Sequence, residues 1–550
     1  MTTDDGKVSA RWHWLILIAL VVAEFWLFDS MTSRHHANIY PRWNDQIQYL
    51  SEAYKAFEIA KADGFFAGIK ATLTKTSLQG CLHDLAALFV FKIAGSASRS
   101  AALSLNMLVF IAWQIATYFT LVRLTGSRSL GWLGFGLLLC LAWPWSGDAG
   151  SAVDFRLDHA AMCLFGISAL VALLTNGYRH RGWSLVFGTV VALTMLERFL
   201  TGAYFAVIYL MAAVALLVTQ DRWKRLSNLI LSGLLATAIA LPIFWFNREA
   251  IYTYYWVGHV AGAEGDARFL GLDHLHSLQF VTTNLARMHL GTWWAWTAAT
   301  AMIAAALLWL GSRRCKRGPV FGSWLFVSLL WLVAPIMVLS VHRQKSAYVL
   351  GVVVPGVLLL AAWLYHQVVT WIDLSAASAV WHRARSAIAA AVVVSGLCFF
   401  TIRQCTNPHD PVFARDARIV NNLADHIYKT AHAQKIATPA IGVDQVVDFI
   451  DAQILGVVCY ERHKVWYSFV TMLPNSILTE PDEVILYKLN LCDFIILTDQ
   501  MPGGGHWPYD QQMRRLYPQL KSWCDEHRQL SLQVHIFGRD LSLYQRPAPL

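Results

Sequence analysis

Eleven apolar runs dominate this chain, near residues 12–28, 101–122, 129–146, 159–175, 183–197, 200–219, 226–246, 292–311, 320–341, 347–371 and 387–404. A hydrocarbon slab of about 30 Å takes roughly 20 helical residues to cross. Inside it every backbone N–H and C=O must be satisfied within the segment, which leaves helices or closed barrels. The runs therefore predict a polytopic α-helical membrane protein of about 11 transmembrane helices. The shortest run, 183–197, ends at Glu197-Arg198. Only 14% of the 550 residues are charged, against about a quarter in soluble domains. The 24 Trp suit a chain with many lipid–water interfaces. A net charge of +9 points to nucleic acid only where basic residues gather on a soluble segment. Here they flank apolar runs, so no nucleic-acid partner is expected.

Charge also predicts orientation. With a cytoplasmic N-terminus, the inner segments hold Lys7/Arg11, Arg123/Arg128, Arg179/Arg181, Arg222/Lys224/Arg225, Arg313/Arg314/Lys316/Arg317 and Arg383/Arg385. The short outer loops are poorer in basic residues: Arg156 in one, Arg198 in another, Arg343 and Lys345 in a third. This alternation follows the positive-inside rule. No N-x-S/T sequon occurs, which points to a bacterial plasma membrane.

Three outer regions are long: 29–100, 247–291 and the tail from about 406. Residues 1–405 form the expected transmembrane domain and 406–550 an extracytoplasmic, periplasmic α/β domain. In "PRWNDQIQYLSEAYKAF" (41–57), Ile47, Leu50, Ala53, Tyr54 and Phe57 share one helical face. A second amphipathic piece carries Phe65, Phe66, Ile69 and Leu73. Both are expected to lie at the membrane interface, the first with this face towards lipid or the helix bundle. In the tail, 435–443, 463–470, 492–499 and 530–538 read as strands; 444–458, 480–490 and 509–527 read as helices. Their alternation predicts a largely parallel sheet. No glycine-rich phosphate fingerprint follows a strand. The nine Cys show no metal spacing; Cys459, Cys492 and Cys524 lie in the tail, where spacing selects no pair.

Ionisable residues are costly at membrane depth and mark function. Here they gather at outer helix ends: Glu24, Asp29, Asp45, His83/Asp84, Asp148, Asp154, Arg156, Asp158/His159, Glu197/Arg198, Arg343 and Lys345. One charged rim implies a site facing outwards rather than a conduit through the bilayer.

Four ordered stretches carry a family resemblance: "WNDQIQYL" after the first span, "HDLAALFVFKIAGSASRSAALSLNML" (83–108), "DFRLDHAAMCLFGISAL" (154–170) and "HRQKSAYVLGVVVPGVLLLAAW" (342–363). Together they resemble the GT-C membrane glycosyltransferases, in the branch of protein O-mannosyltransferases and lipid A aminoarabinose transferases. The family's acidic motif is usually two acids; here it reads Asn44-Asp45-Gln46, and Asp84 replaces the usual Pro after His83. The resemblance implies a hexosyl- or pentosyltransferase. It would move a sugar from a polyprenyl-phosphate donor to a lipid, glycan or protein acceptor at the outer face, among membrane lipids.

That reaction needs one carboxylate to take the acceptor's proton and cations to meet charge on the leaving phosphate. Asp45 aligns with the reactive Asp, with Asp154 and Asp158 as further acidic candidates. Arg156, Arg198, Arg343 and Lys345 are the phosphate-binding candidates, with Tyr348 and His83 beside them. Each has a plainer role. Asp45 serves equally as N-cap of a helix starting at Gln46. Asp154 or Asp158 pairs with Arg156 or caps the next helix. Arg343 and Lys345 anchor to headgroups, His83 marks a helix entry, and Glu197-Arg198 is a turn pair. No cofactor is expected: a divalent metal is possible but not required. Two other functions stay open: a transporter or flippase for a lipid-linked glycan, and a non-catalytic binding protein for one.

Overall fold

The computed structural model describes residues 5–37, 39, 44–77, 79–146, 149–261, 273–291, 294, 323–342, 345–375, 379–405, 411–444, 452–471, 479–499, 508–536 and 538–547. The membrane portion comprises α1 (Asp5–Met31), α2 (Asn44–Asp63), α3 (Phe65–Thr74), α4 (Leu82–Ala94), α5 (Arg99–Thr125), α6 (Arg128–Leu139), α7 (Leu157–Leu174), α8 (Arg181–Glu197), α9 (Thr201–Leu217) and α10 (Arg222–Phe246). It continues with α11 (His274–Asn284), α12 (Ser323–Val341), α13 (Val354–Ser375) and α14 (Ala379–Cys405).

Among the described residues, seven helices are long and apolar enough to cross a membrane: Trp12–His36, Arg99–Thr125, Leu157–Leu174, Arg222–Phe246, Trp324–Val341, Ala347–Thr370 and Arg385–Cys405. Arg128–Leu139 and Thr201–Leu217 are shorter apolar helices. The 129–146 run stops its helix at Leu139 and continues into a 3-10 turn, Trp143–Trp145. Pro144 has no N–H to give the Cys140 carbonyl, so the α-helical ladder cannot run on through this stretch. The 292–311 run lies, but for Trp294, outside the described residues.

Lipid-facing and core-facing surfaces separate as a bilayer demands. Trp14, Ile18, Val22 and Trp26 of α1 and Ile230 and Leu234 of α10 are exposed. Inside, the Trp331 ring of α12 packs against Phe165 and Phe187. Its indole N–H donates to the Phe165 carbonyl at 3.0 Å. A buried indole retains its hydrogen bond this way while its ring fills the core. At one end of the bundle, Thr125, Ser127, Tyr365, His366 and Arg385 line a groove of about 280 Å³. These are helix ends that the charge pattern assigned to one side.

Of the two partners open to the first amphipathic segment, the structure shows protein. Ile47, Leu50, Ala53 and Tyr54 of α2 are fully buried, so the predicted face is correct. The Tyr54 ring stacks near Phe91 of α4 at 5.5 Å and Tyr460 of the tail at 5.3 Å. Tyr54 donates to Glu461, and Tyr460 to Glu58, each at 2.5 Å. The far end of α2 is thus tied to the tail.

The tail contains α15 (Pro411–Ala433), α16 (Ala452–His463), α17 (Asp482–Leu491) and α18 (Pro508–His527) around a five-stranded sheet. Its strands are β1 (Ala440–Val443), β2 (Ser468–Thr471), β3 (Phe494–Thr498), β4 (Gln529–Ile536) and β5 (Arg539–Gln545), in the order β2-β1-β3-β5-β4. β1 pairs in parallel with β2 and β3, whereas β5 is antiparallel to both β3 and β4. The sheet is therefore mixed, because the hairpin at Gly538, with φ of 71°, returns a strand that the sequence reading did not expect. Ile485 and Leu489 of α17 and Leu516 and Leu520 of α18 pack on Ile495 and Leu497 of β3. Cys459, Cys492 and Cys524 are buried and unpaired.

Candidate active site

Loops at one end of the bundle bring together residues far apart in sequence. Asp45 stands in the first turn of α2, which begins at Asn44. This start places Asp45 inside the helix rather than at its N-cap. Its side chain is 52% exposed and lies 3.3 Å from Arg156 Nη2. A carboxylate there also suits the positive end of the helix dipole.

Arg156 is the extended residue just before α7, and it is almost fully buried. Its Nε lies 3.3 Å from Asp154 Oδ2. Its guanidinium sits 5.2 Å from the centre of the Tyr348 ring, a contact that attracts a cation to an aromatic face. The loop is pinned from behind by Asn106 of α5, whose amide donates to the carbonyls of Ala152 at 3.0 Å and Asp154 at 2.9 Å. The buried Asp154 carboxylate accepts from the Gly150 N–H at 2.5 Å and from the Gln46 amide. Gly150 has a φ of 77°, which favours glycine. An added Cβ there would also come within 3.1 Å of Tyr348 and 3.3 Å of Asp158. Burial pushes the Asp154 carboxyl up to about 6, against the pull of Arg156, the Gly150 N–H and Gln46.

A second pair completes the cluster. Asp158 lies in the first turn of α7, and its Oδ1 is 2.5 Å from Nη1 of Arg198, the extended residue ending α8. Tyr49, Tyr255 and Tyr348 lie within electrostatic reach of Arg198, and Tyr254 faces both Asp45 and Arg198. Burial raises the Tyr255 phenol to about 12, although Arg198 draws it down. The site therefore sets three carboxylates against two guanidiniums beneath several phenols. Asp154 and Asp158 are buried, and Asp45 is the carboxylate of the three open to solvent.

The remaining sequence candidates fall elsewhere. Lys345 directs its ammonium at the carbonyls of Leu339, Ser340 and His342, at 3.0, 2.9 and 2.6 Å. It caps the end of α12, where four helix carbonyls lack internal donors, instead of joining the cluster as expected. His83 is buried behind the site, 2.8 Å from Glu197. Arg343 and Asp148 lie outside the described residues. Gln46, Tyr49, Tyr254 and Tyr255 are new to the site; the aromatic run YTYYW (252–256) was the visible signal for two of them. Among the described residues no three His, Cys, Asp or Glu side chains converge as metal ligands do.

The sequence matches no family model, and no curated protein matches it. Solved structures do match. ArnT from Cupriavidus metallidurans in the apo state superposes with a TM-score of 0.60 and 13% identity, over 97% of this chain and 98% of that one. The same protein bound to undecaprenyl phosphate gives 0.60 and 14%, over 96% and 98%. The Archaeoglobus fulgidus oligosaccharyltransferase, tethered to an acceptor peptide containing the NVT sequon, gives 0.53 and 10%, over 97% and 74%. The likeness is one of fold, and it establishes a GT-C-like polytopic membrane architecture for this chain.

Proposed function

We propose that this chain is an integral-membrane glycosyltransferase. It moves a sugar from a polyprenyl-phosphate donor to a hydroxyl of a lipid, glycan or protein acceptor at the outer face of a bacterial plasma membrane. In this reading the N-terminus is cytoplasmic and the tail periplasmic. The observation that carries the proposal is the position of Asp45: an exposed carboxylate held against a buried guanidinium. The shared fold with a protein that binds undecaprenyl phosphate supports the choice of donor class.

The chemistry follows from the groups present. The acceptor oxygen attacks the anomeric carbon as Asp45 takes its proton. The new C–O bond forms, the bond to the phosphate oxygen breaks, and the phosphate leaves with the electron pair. Its charge grows in the transition state, where the preorganised Arg156 and Arg198 stabilise it. Guanidinium forks match phosphate oxygens better than a point charge does. Asp154 and Asp158 hold the two guanidiniums in place. No step calls for a metal.

The test uses Asp45→Asn and Asp45→Ala in the full chain, assayed for transfer from a set of polyprenyl-phosphate sugars. Both variants are expected to bind donor and lose transfer by at least about 100-fold, the usual scale of general-base catalysis. Full transfer by both would overturn the role of Asp45. Donor translocation without transfer by the wild type would favour a flippase.

A further inference from the structure

We infer that the buried His83–Glu197 pair is a positioning element that fixes the two phosphate-facing guanidiniums relative to one another. The inference rests on the transferase reading and deepens it. His83 Nδ1 lies 2.8 Å from Glu197 Oε1, with both side chains buried. Each partner touches a different arm of the site. Glu197 closes α8 and is bonded through the backbone to Arg198. The His83 ring packs 4.3 Å from the ring of Phe155, which stands between Asp154 and Arg156. One ion pair therefore braces both guanidiniums from behind.

The backbone makes this brace rigid. The Cys81 N–H donates to the Leu196 carbonyl at 2.9 Å, and the Phe199 N–H donates to the Gln79 carbonyl at 2.6 Å. Residues 79–81 and 196–199 thus form a short ladder across the entry to α4 and the exit from α8. Between its rungs, a Cβ on Gly80 would lie 2.1 Å from the Glu197 carbonyl oxygen. Backbone can approach this closely only because residue 80 is glycine.

Stability alone does not explain the pair. A buried ion pair is often no better than well-packed apolar residues of similar volume. What it adds is a fixed direction for the atoms beside it. Charge also favours the ion pair over a neutral one. Burial works against the charged ring, but Glu197, with Asp84 and Asp154, outweighs it and raises the His83 pKa. His159 of α7 also lies within electrostatic reach of this ring, and Cys81 and Cys163 lie within reach of Glu197.

The experiment titrates undecaprenyl phosphate into the full-length chain in detergent micelles, comparing wild type, His83→Gln, Arg198→Lys and the double variant. His83→Gln is expected to weaken binding by about two- to thirtyfold, the range carried through packed neighbours. In the Arg198→Lys background the same change is expected to add less, because the part of its effect that runs through Arg198 is already lost. Unchanged affinity for His83→Gln, or fully multiplicative losses, would overturn the inference. If His83→Gln does not fold, Glu197→Gln, which breaks the same pair from its other side, is expected to weaken binding over the same range. Unchanged affinity there overturns the inference. A wild type that binds no undecaprenyl phosphate overturns the transferase reading as well.

Discussion

Arg156 divides itself between two carboxylates of opposite character. Its Nη2 faces the exposed Asp45 at 3.3 Å, and its Nε faces the buried Asp154 at the same distance. The catalytic candidate and its internal support thus share one cation. Arg156→Ala is expected to cost about 3–5 kcal/mol of stability, because it leaves the buried Asp154 without its partner. Arg156→Lys keeps the charge but loses the fork, and is expected to weaken polyprenyl-phosphate binding by about tenfold with a smaller stability loss. Thermal melting and donor titration measure the two effects separately. Unchanged donor affinity in Arg156→Lys would remove Arg156 from phosphate binding.

Asp154 makes stability depend on pH. Its carboxyl is raised from 3.8 to about 6, so the folded chain holds this proton more tightly than the unfolded chain. The stabilisation from that proton is complete below about pH 4 and is lost as pH rises through about 6. Asp154→Asn is expected to flatten that limb of the melting temperature against pH. A variant that keeps the wild-type limb would assign it to another group.

Gln46 occupies the place of a second acid. Its neutral amide donates to Asp154, which a carboxylate cannot do unless protonated. Gln46→Glu is expected to lower stability by about 1–3 kcal/mol at neutral pH, the cost of an unsatisfied buried acceptor. Part of that loss is expected to return below about pH 5, where a carboxyl recovers its proton. A variant as stable as wild type at neutral pH would show that Asp154 does not depend on this amide.

Lys345 provides a contrast with the two arginines. Lys345→Met removes three hydrogen bonds to the end of α12. It is expected to lower stability by about 1–3 kcal/mol, since helix carbonyls lose charged donors. Polyprenyl-phosphate affinity is expected to stay within about twofold, because the ammonium is taken up by helix carbonyls and effects of separate, independent sites add without coupling to within about 0.5 kcal/mol. A tenfold loss would return Lys345 to the phosphate.

The sequence made the rim legible residue by residue, though not as a network. Asp45, Asp154, Arg156, Asp158 and Arg198 all stand out as charges beside apolar runs. Their pairing depends on how the helices cross, which no linear spacing encodes. Gln46 was hidden by its neutrality, although it touches the same carboxylate as Arg156. The face of α2 was readable from its period, but a period specifies which side is apolar and not what covers it. Tyr460 and Phe91 cover it here. The strand Arg539–Gln545 is hidden because it follows its partner strand almost at once, with one tight turn between them.

That strand has a consequence for how the tail is made. β5 lies between β3 and β4, so the sheet is not sealed until residues 539–545 have been synthesised. Until then β3 carries an open edge, which invites pairing with another chain. A nascent chain of this kind needs shielding until that strand is made, and a stop codon just before residue 539 is more damaging than the few residues it removes imply.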